Sequence, residues 1–198
     1  GFRALKKPDK VIKTLIEYGA NINEPNKHGT TILHLLCEVA TKEDIKFIKQ
    51  LIKKGANVNA LNYNNETAIQ IVAWWHRDSN NSLIKALIEA GAQLEIKTKQ
   101  QETVLEAICG GSINTLWLLK FIFSKQKVNL SNVNLNRLLE NACLSNDISL
   151  KLIKYIISLG ADPKHIYNKE DGRLGISIIG IIIRYVPFKL DVDILNYL

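Results

Sequence analysis

The chain has 198 residues, and its hydrophobic content of 46% is sufficient for a continuous core. Its 26 lysines and arginines outnumber the 19 acidic residues, which gives a net charge of +7. No apolar run approaches the roughly 20 residues that a membrane helix needs, and the first residues lack the pattern of a secretory signal. The composition therefore argues against disorder and against a membrane span, and the dispersed positive charge mainly supports solubility.

A nine-residue phrase, Leu-Ile-x-x-Gly-Ala followed by three further residues, occurs three times in the first half of the chain. Its glycines, Gly19, Gly55 and Gly91, are 36 residues apart, and a shortened copy surrounds Gly160. Because a phrase that returns at a fixed interval of this length is typical of stacked repeats, the sequence predicts a repeat array.

A second phrase lies between the copies of the first and keeps the same step of 36 residues, with threonines at Thr31, Thr67 and Thr103. Each threonine is predicted to be a helix N-cap whose hydroxyl accepts a hydrogen bond from the first turn. Each glycine of the first phrase is predicted to end a second helix, because glycine adopts the left-handed conformation readily. A unit therefore contains two short helices and a polar turn.

These residues resemble the ankyrin repeat family. Its Thr-Pro-Leu-His phrase is matched by Thr31, Leu33 and His34, and its Gly-Ala-Asp-Val-Asn phrase by residues 55–59, with Asn in place of Asp. The resemblance covers about residues 8–185. It implies an all-α fold, an ankyrin-repeat solenoid of stacked helix–turn–helix units joined by β-hairpin fingers. It also implies a structural role for His34, which would brace the hairpins by hydrogen bonding.

This register predicts one ankyrin-repeat domain over residues 1–198, with incomplete or divergent terminal units, and we expect it to be a segment of a longer protein. Each 36-residue unit exceeds the family period of 33 by about three residues, which we expect in the turns near 40–43 and 77–80. The fourth unit lacks its glycine, so an irregular finger is predicted near 124–134. The approximate units are 1–23, 24–59, 60–95, 96–130, 131–163 and 164–198.

The three cysteines share one position of the repeat. Each lies six residues after the start of its copy of the second phrase: Cys37 after Thr31, Cys109 after Thr103 and Cys143 after Arg137. Ala73 and Gly180 hold that position in other units. A column of small residues suits the place where inner helices approach one another, so packing is favoured over a disulfide or a metal site. Unpaired cysteines suit a reducing compartment, and a cytoplasmic location is therefore predicted.

Side chains that carry out catalysis or bind metals form no recognisable constellation in this sequence. The four histidines are scattered, no zinc spacing, P-loop or nucleophile elbow occurs, and the carboxylates suggest no acid–base pair. We therefore predict a protein that is not an enzyme, and no cofactor is implied. Lys46, Lys49 and Lys53 lie opposite an apolar stripe on a predicted second helix, which favours a solvated face over a nucleic-acid patch.

Trp74 and Trp75 are the strongest candidates for partner recognition, because tryptophan is enriched at binding hot spots. They lie at the end of a first helix, at positions where other units carry smaller residues. In ankyrin proteins the inner-helix ends and hairpin tips line the surface that binds partners. The predicted partner-binding residues are Trp74, Trp75, Tyr63, Asn64, Lys27, His28, Glu38, Lys99 and Gln100.

The predicted function is protein–protein recognition by a monomer, through the concave face and the hairpin tips. Two alternatives stay open: a targeting or regulatory segment of a larger enzyme or secreted effector, and association with nucleic acid or chromatin through basic surface. The Ile-, Lys- and Asn-rich composition favours an A·T-rich genome, such as those of some protists and of intracellular bacteria that deliver proteins into the host cytoplasm or nucleus. For such a host–pathogen setting the family implies hydroxylation of Asn23 and Asn59 by a host asparaginyl hydroxylase.

Overall fold

The computed structural model describes residues 8–41, 44–74, 81–110, 115–125, 130–145, 149–167 and 175–185. In these ranges a 3₁₀ turn occupies Leu130–Asn132, and strands β1 (Ile166–Tyr167) and β2 (Ile176–Ser177) pair in an antiparallel manner. The α-helices of the same ranges are α1 (Pro8–Glu17), α2 (Ile32–Val39), α3 (Ile45–Lys53), α4 (Ala68–Trp74), α5 (Asn81–Glu89), α6 (Val104–Gly110), α7 (Thr115–Lys125), α8 (Leu135–Leu144), α9 (Leu150–Ser158) and α10 (Ile178–Tyr185).

The chain divides into two compact units, residues 1–104 and residues 105–198. From here on, the first unit and the second unit mean these two halves of the chain, and the shorter repeating segments are called repeats. In the first unit, α2 packs against α3 and α4, and α5 packs against α3 and α4. In the second unit, α8 packs against α9 and α10, and α7 packs against α9. The single domain expected from the register stays a prediction.

The helices of the first unit recur with the period of the sequence. α2 begins at Ile32 and α4 at Ala68, while α3 ends at Lys53 and α5 at Glu89, so both starts and ends are 36 residues apart. The glycine that follows α3, Gly55, has a φ of +97°. This left-handed residue closes the helix and forms the cap that the glycine phrase predicts.

Burial on α3 shows how each second helix is held in place. Phe47, Ile48 and Leu51 are buried, whereas Lys49 and Lys53 on the opposite side are exposed. Burying a large apolar side chain stabilises the fold by about 1.5–3 kcal/mol, so this stripe fixes the helix against its neighbours. The lysine side of the helix faces solvent, as its spacing predicts.

All three cysteines are free and buried in their helices. Their burial is nearly complete, since Cys37 is 1% exposed and Cys109 and Cys143 are 0% exposed. Burial raises the pKa of Cys37 and of Cys143 to about 12, and it also raises the pKa of Cys109. Protonated, desolvated thiols behave as small apolar groups, and the predicted packing role of this column is confirmed.

The fourth finger departs from the glycine turn of the first three repeats. It contains the 3₁₀ turn Leu130–Asn132, and α8 then begins after Asn134, whose side chain accepts a hydrogen bond from the N–H of Arg137 at 3.0 Å. The irregularity predicted near residues 124–134 is observed in this described part, and residues 126–129 lie outside it. Residues 42–43 and 75–80, which include most positions expected to hold the extra residues, also lie outside the described ranges.

Candidate functional site

Three turns of the first unit, at residues 26–29, 62–65 and 98–101, repeat one geometry and are called the turn tips below. In each, the carbonyl of the first residue accepts a hydrogen bond from the N–H of the fourth, at 2.9–3.0 Å. The fourth residue has a positive φ in every tip, between 58° and 74°. The tips therefore correspond to the fingers that the resemblance implies.

Successive turn tips are joined by main-chain hydrogen bonds. The N–H of Tyr63 donates to the carbonyl of His28 at 3.1 Å, and the N–H of Lys99 donates to the carbonyl of Asn64 at 3.0 Å. The side chains of all four residues are exposed, and Tyr63 is 65% exposed. The predicted partner-binding residues at the tips therefore lie side by side.

Behind the tips, His34 connects one repeat to the next. Its Nδ1 accepts a hydrogen bond from the N–H of Thr31 at 3.2 Å, and its Nε2 lies 3.0 Å from the carbonyl of Ala60 and 3.1 Å from that of Glu66. Because both partners of Nε2 are acceptors, Nε2 carries a proton, and because Nδ1 accepts from Thr31, the imidazole is neutral. Burial lowers the pKa of His34, which agrees with this state. The bracing role implied for His34 is observed.

Gln70 performs the same task one repeat later, although it was not predicted to do so. Its Oε1 accepts a hydrogen bond from the N–H of Thr67 at 2.9 Å, and its Nε2 donates to the carbonyls of Ile96 at 2.8 Å and Glu102 at 3.3 Å. The Thr67 hydroxyl also donates to Oε1, at 3.0 Å. The third helical residue therefore caps the helix start by binding the N–H of Thr67, and the hydroxyl bond observed at Thr67 is a donated one, not the accepted one that the sequence predicted. The signal that identifies Gln70 is its distance of 36 residues from His34.

In the second unit, the corresponding position of the repeat holds Glu106, which is buried. Its Oε1 lies 3.6 Å from Nε of Arg137, and its backbone carbonyl accepts a hydrogen bond from Nδ2 of Asn141 at 3.0 Å. An ion pair and a side-chain amide therefore take part in the contacts of this repeat.

A groove of about 680 Å³ lies between the turn tips and helices α2 and α4 of the first unit. Three residues of the predicted partner-binding set, Glu38, Trp74 and Gln100, line it and come from three different repeats. We call it the Trp74 groove. The described residues that line it are Thr30, Glu38, Asn62, Glu66, Ile71, Trp74 and Gln100.

Trp74 is the large apolar side chain that α4 leaves open to solvent. It is 52% exposed, whereas Ile69 and Val72 of the same helix are 0% exposed. The remaining predicted residues of the first unit lie on the tips and are exposed, and Trp75 lies outside the described residues. The tip residues in question are Lys27, His28, Tyr63, Asn64 and Lys99.

Four of the residues that line the groove were not predicted for partner binding. Thr30 and Glu66 occupy equivalent positions of successive repeats, since each accepts a hydrogen bond, through its backbone carbonyl, from the first residue of its tip. Asn62 is that first residue in the second tip. Ile71 lies on α4, in the turn before Trp74. The period of 36 residues is the signal that could have identified the tip residues, because it fixes which positions face the helix ends.

Asn23 and Asn59 also connect successive repeats. The Nδ2 of Asn23 donates to the carbonyl of Gly55 at 2.9 Å, and its Oδ1 accepts a hydrogen bond from the N–H of Asn57 at 2.7 Å. Asn59 makes the corresponding bonds one repeat later, at 3.1 and 2.8 Å. Both asparagines are half-buried and have a structural role. Their hydroxylation stays a prediction.

The exposed side of α3 forms a second open groove, of about 630 Å³. It is lined by Lys46, Lys49 and Lys53 together with Ile45, Gln50 and Ser82.

Among the helices that the structure describes, none has the length and apolar character that a membrane crossing requires. In the same ranges, no group of three or more His, Cys, Asp or Glu side chains is arranged to hold a metal ion.

Comparison with known proteins agrees with this architecture. Residues 2–98 match the family model for ankyrin repeats in three copies. Among curated proteins, none matches the sequence significantly. The fold is similar to that of a chain in the solved structure of the predatory endopeptidase Bd0816 from Bdellovibrio bacteriovorus in complex with the immunity protein Bd3460. That similarity has a TM-score of 0.71 at 19% identity and covers 96% of this chain and 92% of that chain.

The paired helices, the linked turn tips and the fixed period define a helical repeat protein. More specifically, residues 2–98 belong to the ankyrin repeat family, which the threonine and glycine phrases predict. The fold is all-α, as expected for this family. Ankyrin repeats are non-catalytic modules that bind other proteins.

Proposed function

We propose that this chain is a protein-recognition module that binds its partner through the Trp74 groove and the adjoining turn tips. The observation that carries this proposal is the half-exposed indole of Trp74 in a groove to which three repeats contribute. The partner is another protein, and the residues that surround the indole provide polar contacts around an apolar centre.

The indole supplies the apolar part of the binding energy. A tryptophan side chain offers on the order of 200 Å² of surface, so covering the exposed half of Trp74 removes on the order of 100 Å² from water. At about 25 cal/mol per Å², this burial contributes about 2–3 kcal/mol to binding. A contribution of this size is typical of a hot-spot residue.

The turn tips supply a polar rim. Lys27, Asn64 and Lys99 are exposed on consecutive tips, and the main-chain bonds between the tips fix their spacing. A rim that is held in place before binding loses little conformational entropy when the partner arrives. The solved structure with a similar fold is a complex of two proteins, which supports protein binding as a use of this fold.

A comparison of two tryptophans tests the proposal. Trp117, on α7 of the second unit, is 50% exposed and therefore matches Trp74 in exposure. Wild-type protein and the Trp74→Ala and Trp117→Ala variants would be immobilised and used to capture proteins from the same lysate, with bound proteins identified by mass spectrometry. We expect Trp74→Ala to lower the recovery of specific partners by about tenfold or more. Trp117→Ala should leave the recovery unchanged.

Circular dichroism melting of both variants serves as the folding control, because both side chains are largely solvent-exposed. Partners that are recovered equally by the Trp74→Ala variant and by wild type would place the binding surface outside the Trp74 groove.

A further inference from the structure

The described lining of the Trp74 groove has a charge opposite to that of the chain. The chain carries a net charge of +7, yet the described residues that line the groove include Glu38 and Glu66 and no lysine, arginine or histidine. The charged residues of the turn tips, Lys27 and Lys99, are positive. Among the described residues, the acidic side chains of the groove are thus flanked by positive charges on the tips.

The carboxylate of Glu66 is held in a fixed position. Its Oε2 accepts a hydrogen bond from Nδ2 of Asn62 at 2.7 Å, and Oδ1 of Asn62 in turn accepts from the N–H of Glu66 at 3.0 Å and of Asn64 at 2.8 Å. A carboxylate that is positioned before binding attracts a cation without the cost of ordering a side chain.

Nothing among the described residues neutralises the two carboxylates. Neither Glu38 nor Glu66 forms a salt bridge within the described ranges. His34 lies close enough to Glu66 to bind its backbone carbonyl, but burial lowers the pKa of His34 and leaves the ring neutral at pH 7. The charge of both carboxylates is therefore available to a bound partner.

Trp74 adds a second feature that attracts cations. The face of an indole is the strongest of the aromatic cation–π partners, and a guanidinium group stacks on it while it forms paired hydrogen bonds with a carboxylate. Ile71, one helical turn before Trp74, also lines the groove and offers an apolar contact. An aromatic face, two carboxylates and an apolar side chain in one groove match an arginine side chain with an apolar neighbour.

We propose that the Trp74 groove recognises a partner segment through one arginine or lysine side chain that lies beside an apolar residue. This inference rests on the proposed function and adds the chemistry of the partner. Arginine is the better fit, because its planar group uses the indole face and a carboxylate at the same time. Polybasic segments gain no further advantage, because the tips around the groove are themselves positive.

Random peptides displayed on phage, selected against the full chain, provide the first test. We expect peptides that contain an arginine next to an apolar residue, and we expect their binding to be lost with Trp74→Ala. Enriched peptides that depend on Trp74 but contain acidic or purely apolar anchors would overturn the inference and leave the proposed function standing. Enriched peptides that bind the Trp74→Ala variant as well as wild type would count against the proposed function.

The second test uses an enriched peptide and matched changes on both sides, with affinity measured by fluorescence anisotropy. Replacing the arginine of the peptide by citrulline keeps its shape and removes its charge, and we expect affinity to fall by about tenfold. The double variant Glu38→Gln/Glu66→Gln should lose affinity to a similar extent. Its control, Glu17→Gln/Glu95→Gln, changes the net charge equally at exposed positions that are not among the described lining residues. Equal losses in both double variants would contradict recognition in the groove.

Discussion

His34 and Gln70 occupy the same position in successive repeats, and each connects its own helix cap to the backbone of the following repeat. An imidazole with a proton on Nε2 and a primary amide offer the same arrangement, one acceptor on the near side and one donor on the far side. The buried carbonyls require a donor, and the chemical type of that donor is secondary. Because Gln70 already makes these bonds in one repeat, replacing His34 by glutamine is a natural control for other changes at His34.

We expect His34→Gln to preserve the stability of the protein and His34→Leu to lower the free energy of unfolding by about 2 kcal/mol. Leucine fills the space but leaves the carbonyls of Ala60 and Glu66 without their donor. Urea denaturation of the two variants measures the difference. A leucine variant as stable as the glutamine variant would show that these hydrogen bonds contribute little.

The same position predicts a pH dependence. Burial lowers the pKa of His34 in the folded state below the ordinary value of 6.5, so the unfolded chain takes up a proton first as pH falls. The contribution of His34 to stability is complete above pH 6.5 and decreases as pH falls from there toward the lowered folded pKa. We expect wild type to lose more stability than His34→Gln between about pH 7 and pH 5. Parallel stability curves for the two proteins would refute this linkage.

Gly29 and Gly55 allow the stability cost of an added Cβ to be compared at a crowded and at an open left-handed position. Both have positive φ, but a Cβ at Gly29 would lie 2.7 Å from Cδ1 of Tyr63, whereas a Cβ at Gly55 would meet nothing within 4 Å. We expect Gly55→Ala to cost about 1 kcal/mol of stability, from backbone strain alone. Gly29→Ala should cost at least about 1 kcal/mol more, because the neighbouring tip must move. Thermal melts with similar midpoints would contradict the role of this contact.

At the scale of elements, the contacts that connect one repeat to the next are made by turns as well as by helices. Asn59 illustrates this, since its side chain donates to the carbonyl of Gly91 and accepts from the N–H of Gln93. Helix packing buries the apolar stripes, while these amide bonds fix the spacing of consecutive turns. The position of the Trp74 groove depends on that spacing, because its walls come from different repeats.

Asn59→Ala removes both bonds, and we expect a loss of about 1–2 kcal/mol in unfolding free energy. Asn59→Asp keeps the acceptor for Gln93 and loses the donor for Gly91, so it should also be less stable than wild type. Chemical denaturation measures both.

The hydroxylation predicted at Asn23 and Asn59 has a separate test in mass spectrometry of protein from host cells, where a gain of one oxygen atom is expected.

At the scale of the whole molecule, the buried cysteines report on the two compact units separately. Cys37 belongs to the unit formed by residues 1–104, and Cys109 and Cys143 belong to the unit formed by residues 105–198. Burial raises the pKa of each thiol, so the native protein holds these cysteines protonated and out of contact with reagents. Each thiol becomes reactive only when its surroundings unfold.

Pulsed alkylation across a urea series, read by mass spectrometry, tests whether the chain unfolds as one domain. We expect Cys109 and Cys143 to become reactive over the same urea range and Cys37 over a different one, since stability in repeat proteins is a sum of local terms. Reaction of all three cysteines at a single urea concentration would instead support the one-domain prediction from the sequence.

The sequence by itself determined the repeat architecture. A period of 36 residues, threonines before first helices and glycines after second helices are local signals, because capping and left-handed turns depend on the residue that occupies the position. The burial of the cysteine column followed from the same period. The role of His34 could be inferred because its phrase resembles a known family, while that of Gln70 was missed because an amide at this position matches no family phrase.

Only the tertiary structure decided the composition of the candidate site. Glu38, Trp74 and Gln100 were proposed from the sequence as separate positions, and the stacking of repeats placed them around one groove together with Glu66 and Asn62. The exposure of Trp74 likewise depends on whether a neighbouring element covers the end of α4, which no local pattern records. Side chains from different repeats become neighbours through the packing of helices and the bonding of turns, and this is why the negative charge of the groove could not be read from a chain that is positive overall.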